Sequence, residues 1–289
     1  MRLAAIGLLA LSGMVWAAPE LNESYTSLKD AVEKKDVPKV KTLAAQTSKE
    51  ARELEKEPQP AEASGMEAWK GRQQFAKDAE NYAEYSLALT AIQASDPAVT
   101  IDLTDTLIAQ DPKSEQIDMA APYYLAALGK QGTAKVIAGA NKIVAGRPDN
   151  EDALFAIASI SLSSAPGQAL TAANKLVAAA GRNKKPERMG EGYTLAGVVH
   201  GSQGRYADAD RSLRAALPLI GGQPAMLSYA YYYLGLSNYQ LGKLTADKSK
   251  MMAGIQYADK AAAMAGPMQA LAAKDSATMK RDMASAGRR

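Results

Sequence analysis

The chain has 289 residues, no cysteine and one histidine. Without cysteine, disulfides, thiolate metal sites, covalent haem attachment and lipoprotein processing are excluded. The formal charge of +3 at pH 7, which falls to +2 if Arg2 is lost with a signal segment, is too balanced for a nucleic-acid-binding surface.

The first residues have the pattern of an export signal. Met1 and Arg2 give a positive start, residues 3–15 form an apolar run, and Val15-Trp16-Ala17 precedes a cleavage point near Ala18. The apolar run is shorter than the roughly 20 residues that a helix needs to cross a bilayer. We therefore predict a signal peptide at 1–17 and a periplasmic or secreted protein with no stable membrane insertion after cleavage. Retention of the segment as an anchor is the alternative.

The next two segments are predicted to be a helical hairpin and a linker. Residues 18–57 carry apolar side chains at helical spacing, with a turn near Asp36-Val37-Pro38. Residues 58–65 lack an apolar face and contain Pro58 and Pro60, which cannot lie inside a helix. The sequence therefore predicts a linker here, which would let the hairpin move relative to the rest of the chain.

Residues 66–267 contain a recurring helix-stop signal. Prolines follow alanine-rich amphipathic stretches at intervals of 36, 38, 38 and 43 residues, at Pro112, Pro148, Pro186, Pro224 and Pro267. A period of this length is typical of stacked helix pairs, in which each pair covers the apolar side of its neighbour. The sequence thus predicts an all-α fold, an α-solenoid of helix-turn-helix repeats. Residues 268–289 are expected to form a C-terminal capping helix and a polar tail.

One unit resembles the tetratricopeptide repeat residue for residue. It reads Tyr193, Ala196-Gly197, Gly204-Arg205-Tyr206, Ala209, Leu213 and Ala216-Leu217. In that family an aromatic residue begins the first helix, a small residue lets the two helices touch, a glycine turns the chain and alanines pack the second helix. The resemblance implies a right-handed superhelix.

The following unit repeats the pattern, with extra residues expected near 246–250. Its matching positions are Tyr231, Leu234-Gly235, Gly242, Leu244, Ala253, Tyr257 and Ala261. The likeness extends more loosely over about residues 80 to 267.

Tyrosines concentrate on one helix of this second unit. Tyr229, Tyr232, Tyr233, Leu236 and Tyr239 fall on one helical face. By resemblance to the family, this face would line a concave groove for a partner, together with matching positions of earlier units: Tyr123, Ala126, Lys130, Thr194 and Val198. The same face could instead pack on the next helix, and the sequence leaves both readings open.

The sequence offers little for catalysis. His200 is the only histidine, so Ser-His-Asp, Cys-His and two-histidine metal arrangements are excluded. We predict no catalytic residue, no cofactor and no metal, and expect a non-enzymatic scaffold that binds a peptide or protein in the groove.

The alternatives are a helical enzyme acting on cell-wall glycans or lipids through Trp69, Glu67 and Glu80, and a structural subunit of a secretion or outer-membrane assembly complex. The oligomeric state stays open.

Overall fold

The computed structural model describes residues 18–286, and every regular element in this range is helical. This confirms the all-α prediction. The predicted signal peptide, residues 1–17, and the last residues of the predicted tail, 287–289, lie outside the described range. Contacts divide the chain into two compact units, with the boundary between residues 127 and 128. The helix α5 (Gln116–Gly129) contains that boundary.

From residue 18 onward, the first unit contains four further helices and one short turn of 3-10 helix. They are α1 (Pro19–Glu33), α2 (Val37–Glu55), the turn Ala63–Gly65, α3 (Met66–Gln93) and α4 (Pro97–Gln110). Asp36 and Asp96 begin α2 and α4, because their carboxylates accept N–H groups of the first turn, from Lys39 and Ala98 respectively.

The predicted linker at 58–65 does not separate two bodies. The prolines end the helix as expected, but the chain turns back so that α2 packs along α3, with a shared core of Leu21, Ala51, Ala76 and Ala79. Arg72 donates two hydrogen bonds to the Glu57 carboxylate, at 2.8 and 2.6 Å, and the indole N–H of Trp69 donates to the Glu57 carbonyl at 3.1 Å. The hairpin is therefore packed on α3 and is not a separate body. The N-terminal hairpin and α3 belong to one packed unit.

The second unit is a series of helices in which each packs on the next along the chain. It contains α6 (Thr133–Gly146), α7 (Glu151–Ile160), α8 (Pro166–Arg182), α9 (Pro186–Ser202), α10 (Tyr206–Ala216), α11 (Pro224–Leu244), α12 (Lys248–Ala263) and α13 (Gln269–Ala286). The first helices of successive hairpins also contact one another, α7 with α9 and α9 with α11. We call these three the first-helix layer. This arrangement is that of an α-solenoid of helical hairpins.

The recurring prolines mark the junctions between hairpins. Pro186 and Pro224 occupy the first position of α9 and α11, where a missing N–H has no cost, while Pro112, Pro148 and Pro267 lie in the connecting loops. The period in the sequence thus corresponds to the hairpin repeat.

The two hairpins with the clearest repeat signature differ in length. Gly197 of α9 and Gly235 of α11 are 38 positions apart, whereas their respective contacts on the second helices, Leu213 and Ala258, are 45 positions apart. The added seven residues are about two helical turns. They extend α11 and α12 by about one turn each, and both hairpins keep a three-residue turn.

This extension corrects three expectations. Gly242, which aligns with the turn residue Gly204, lies inside α11, and the turn comes later, around Ala246. The extra residues lengthen helices and do not form a loop at 246–250. The buried residues of α12 are Gly254, Ala258 and Ala261. Ala261 was predicted, whereas Gly254 and Ala258 each come one position after the predicted Ala253 and Tyr257.

Candidate functional site

The predicted groove residues of α11 do form a single face. Proline starts the helix at residue 224, and the spacing of Tyr229, Tyr232, Leu236 and Tyr239 places their side chains on one side. We call these four residues the tyrosine face.

The tyrosine face is covered by the C-terminal helix. Only 6% of Tyr232 and 2% of Tyr239 is exposed. The Tyr232 hydroxyl donates to the Asp275 carboxylate at 2.8 Å, and the Tyr239 hydroxyl donates to the Met279 carbonyl at 3.2 Å. The reading in which this face packs on the next helix is therefore correct for α11, and an open groove wall here is wrong.

Small and flexible apolar side chains make the contact from α13 and from the residue just before it. Met268 and Ala272 pack in one cluster with Tyr232, and Met279 and Met283 pack in another with Tyr239 and Leu236. Burial and then the Asp275 carboxylate raise the pKa of Tyr232, so its phenol stays protonated and acts as a donor. The surface combines apolar packing with two directed hydrogen bonds.

The other predicted groove residues do not extend this face. Thr194 and Val198 are buried within the second unit, where they take part in helix packing. Tyr123 and Ala126 are exposed but belong to the first unit, and Lys130 is an exposed residue at the start of the second. The structure therefore does not assemble the predicted set into one site.

A cluster at the α7–α9 contact is the open part of the first-helix layer. Arg188 of α9 forms ion pairs with Asp152 of α7 and, at 2.8 Å, with Glu191, and its guanidinium lies 5.5 Å from the centre of the Phe155 ring. All four side chains are partly exposed. We call Asp152, Phe155, Arg188 and Glu191 the arginine cluster. Sequence reasoning missed it, although the spacing of Asp152 and Phe155 already placed them on one face of a helix.

Two interactions hold the arginine cluster in position. Burial alone would lower the pKa of Arg188, but the hydrogen bond with Glu191 and the charge of Asp152 outweigh it, and the pKa is raised. Behind the cluster, the buried carboxylate of Glu151 accepts from Asn183 and Lys185, each at 2.8 Å. These bonds tie the start of α7 to the loop before α9, so the cluster is a fixed feature of the surface.

Two surface depressions lie elsewhere. In the second unit, a notch of about 280 Å³ runs from Arg205, just before α10, to Leu244 at the end of α11. Leu244 is 76% exposed because α11 extends beyond its neighbour. In the first unit, a polar cleft of about 230 Å³ is lined by Glu80, Glu84, Asp111 and Ser114 among others. Burial raises the pKa of Glu84, whose carboxylate accepts from Ser114 at 2.6 Å.

The residues suggested for a hydrolase do not converge. Glu80 pairs with Arg52 at 2.5 Å, Glu67 pairs with Lys70 at 3.0 Å, and Trp69 is bound to Glu57. Both acids lie on α3, thirteen positions apart, which corresponds to about 20 Å along a helix. Paired carboxylates of glycosidases are separated by about 5 to 10 Å. This set of residues therefore does not form one site.

Within residues 18–286, no group of three or more histidine, cysteine or acidic side chains is arranged to hold a metal ion, and no helix is long and apolar enough to span a bilayer. Comparisons with known protein families, curated protein sequences and solved structures find no match for this chain. The likeness to the tetratricopeptide repeat rests on the residues of the sequence.

Proposed function

We propose that this protein is an exported, non-enzymatic scaffold that binds a protein or peptide partner through the first-helix layer of its second unit. The observation that carries the proposal is the seating of α13 on the tyrosine face. A face of this layer holds an amphipathic helix through buried Met268, Ala272 and Met279 and two tyrosine hydrogen bonds. The layer is thus chemically suited to take up a polypeptide segment.

The arginine cluster supplies the open end of this surface. Phe155 offers rigid apolar area, and Arg188 with its two carboxylates offers charged groups already fixed in place. Arginine and aromatic side chains at the centre of interfaces contribute most of the binding free energy in many complexes. Export is proposed from the pattern of residues 1–17.

Position-specific photocrosslinking in the cell that makes the protein tests this proposal. A photoreactive amino acid is placed at Phe155 or Glu191 on the layer, and at Lys175 or Arg211, which are exposed on the second helices α8 and α10. We expect one adduct of the same mass from both layer positions and none from the two controls. Equal labelling at all four positions, or none at any, contradicts the proposal.

A further inference from the structure

We infer that α13 is an exchangeable occupant of the tyrosine face, and that the partner of this face is an amphipathic helix that repeats the contact pattern of α13. This inference rests on the proposed function and specifies its partner. The partner helix has apolar side chains at the spacing of Met268, Ala272 and Met279, with a carboxylate at the position of Asp275.

The contact pattern of α13 identifies the chemistry of the partner. Relative to Met268, the residues that meet α11 come at offsets of 4, 7 and 11, which is one stripe of a helix. Asp275 meets the Tyr232 hydroxyl at the middle of the stripe. A buried hydroxyl donor without an acceptor is costly, so the face selects helices that carry an acceptor at that position.

The attachment of α13 suits exchange. Its buried residues lie on one side only, and its remaining residues, such as Lys274, Ala277 and Arg281, are exposed. The same side also packs on α12, in clusters that contain Ala258 and Ala261, and Asp259 of α12 accepts hydrogen bonds from Ser276 at 2.5 Å and from Lys280 at 2.7 Å. A terminal helix packed on one side belongs to the least stable parts of a fold and can open without unfolding the rest.

The loop before α13 provides the hinge. It runs from Met264 to Met268, and the Met268 N–H donates to the Ser228 hydroxyl at 3.2 Å. A Cβ added at Gly266 would lie 2.6 Å from Ser228, so the loop sits directly on α11. Release of this loop, of the Asp259 hydrogen bonds and of the apolar contacts with α11 and α12 frees the helix as one piece.

Fluorescence anisotropy with a labelled synthetic peptide of residues 265–286 tests the inference on the full chain from Ala18. Because the chain has no cysteine, Asp259→Cys with Ser276→Cys creates a single disulfide that locks α13 when oxidised and leaves it loosely held when reduced. We expect peptide binding in the reduced form and at least tenfold weaker binding in the oxidised form. Equal binding in both forms, or none in the reduced form, overturns the inference.

A second pair of variants separates loosening of α13 from general disruption. Asp275→Ala with Met279→Ala weakens the contact side of α13, whereas Gln269→Ala with Lys274→Ala changes its exposed side. The first should bind the peptide at least tenfold more tightly than the unchanged chain, and the second should bind it as the unchanged chain does. A peptide carrying Asp275→Ala should bind at least fivefold more weakly. Circular dichroism reports whether each variant keeps its helices, and if the first variant does not, the disulfide pair decides.

The outcomes distinguish this inference from the proposed function. Crosslinks at Phe155 and Glu191 depend on the arginine cluster and not on α13. If the peptide fails to bind while those crosslinks persist, α13 is a permanent cap and the scaffold proposal stands. If both fail, both proposals fall.

Discussion

The hairpins α9–α10 and α11–α12 share one sequence signature, but their two helices pack against each other at different distances. In the shorter hairpin, a Cβ at Gly197 would lie 2.5 Å from the Leu213 side chain, so helix meets side chain. In the longer one, a Cβ at Gly235 would lie 2.8 Å from the backbone nitrogen of Ala258, so helix meets helix directly. The same small residue thus permits two different depths of approach.

The two turns differ in a related manner. The shorter hairpin turns through Gly204, with φ of 74°, and the longer one through Ala246, with φ of 53°. In both turns, the N–H of the third turn residue donates a hydrogen bond to the carbonyl five positions earlier, from Arg205 to His200 and from Asp247 to Gly242. A hairpin can therefore gain seven residues without changing its loop. Seven residues are close to two full helical turns, so the two helices still present nearly the same sides to each other.

The largest expected effect comes from adding a methyl group to the direct helix contact. Gly235→Ala should destabilise the protein by about 3 kcal/mol, because the new Cβ meets backbone that cannot rotate away. Gly197→Ala should cost less, since the Leu213 side chain can adjust. Urea unfolding of both variants measures the difference, with Gly221→Ala, a position with open space, as the control. Equal losses at 197 and 235 would remove the distinction between the two hairpins.

The location of Gly242 gives the next effect. Because this residue lies inside α11 with the backbone of Asp247 and Met251 2.7 Å from a Cβ, Gly242→Ala should cost about 2 kcal/mol. Gly204 has nothing near its Cβ position, and only its positive φ opposes a side chain. Thermal unfolding followed by circular dichroism measures whether Gly242→Ala loses more stability than Gly204→Ala. A Gly242→Ala variant as stable as the parent would indicate a turn at 242.

The turns themselves should respond in opposite directions. Gly204→Ala places a Cβ at positive φ and should destabilise by about 1 kcal/mol, whereas Ala246→Gly relieves the same strain and should stabilise by about 0.5 kcal/mol. Chemical denaturation of the two variants and of the double variant measures both effects. Two losses of stability would show that Ala246 does not carry the strained conformation.

The smallest effect is a pH dependence in one hairpin only. His200 and Asn238 occupy equivalent positions, 38 residues apart. The side-chain amide of Asn238 donates to Asp210 and to the Leu234 carbonyl, whereas the buried Nδ1 of His200 has no hydrogen-bond partner. Burial and then the charge of Arg205 lower the pKa of His200, with Arg211 acting in the same direction and Asp208 opposing. The unfolded chain therefore binds the proton more readily.

Because the pKa of His200 is lower in the folded chain than in the unfolded chain, protonation favours unfolding. The free energy of unfolding is unaffected by this group above the unfolded pKa of about 6.5, and it decreases as the pH falls from there toward the pKa of the folded chain. The melting temperature of the parent should consequently drop more than that of His200→Asn between pH 7.5 and 5. Parallel pH profiles would exclude His200 as the source.

Local sequence patterns were enough to predict the helices and hairpin junctions. Alanine-rich amphipathic stretches act within a few residues and predicted the helices, and the proline period predicted the junctions. Pro186 and Pro224 were expected to end one helix, and the structure places them at the start of the next, where the fixed φ of proline suits the first turn. Gly204 was predicted to turn the chain by resemblance to the tetratricopeptide repeat, and its φ is 74°. The same conformation at Lys35, Lys184 and Ala246 gave no signal, because those residues adopt it only under the constraint of the surrounding packing.

Residue spacing alone predicts that the second unit repeats a hairpin and that α11 carries a row of tyrosines on one side. What packs against that row follows only from the folded chain, since spacing along one helix defines a face but not its neighbour. The contact between Tyr232 and Asp275 spans 43 positions, and the cluster of Arg188 with Asp152 spans 36. Such long-range pairings depend on how successive hairpins stack, which is a property of the whole array.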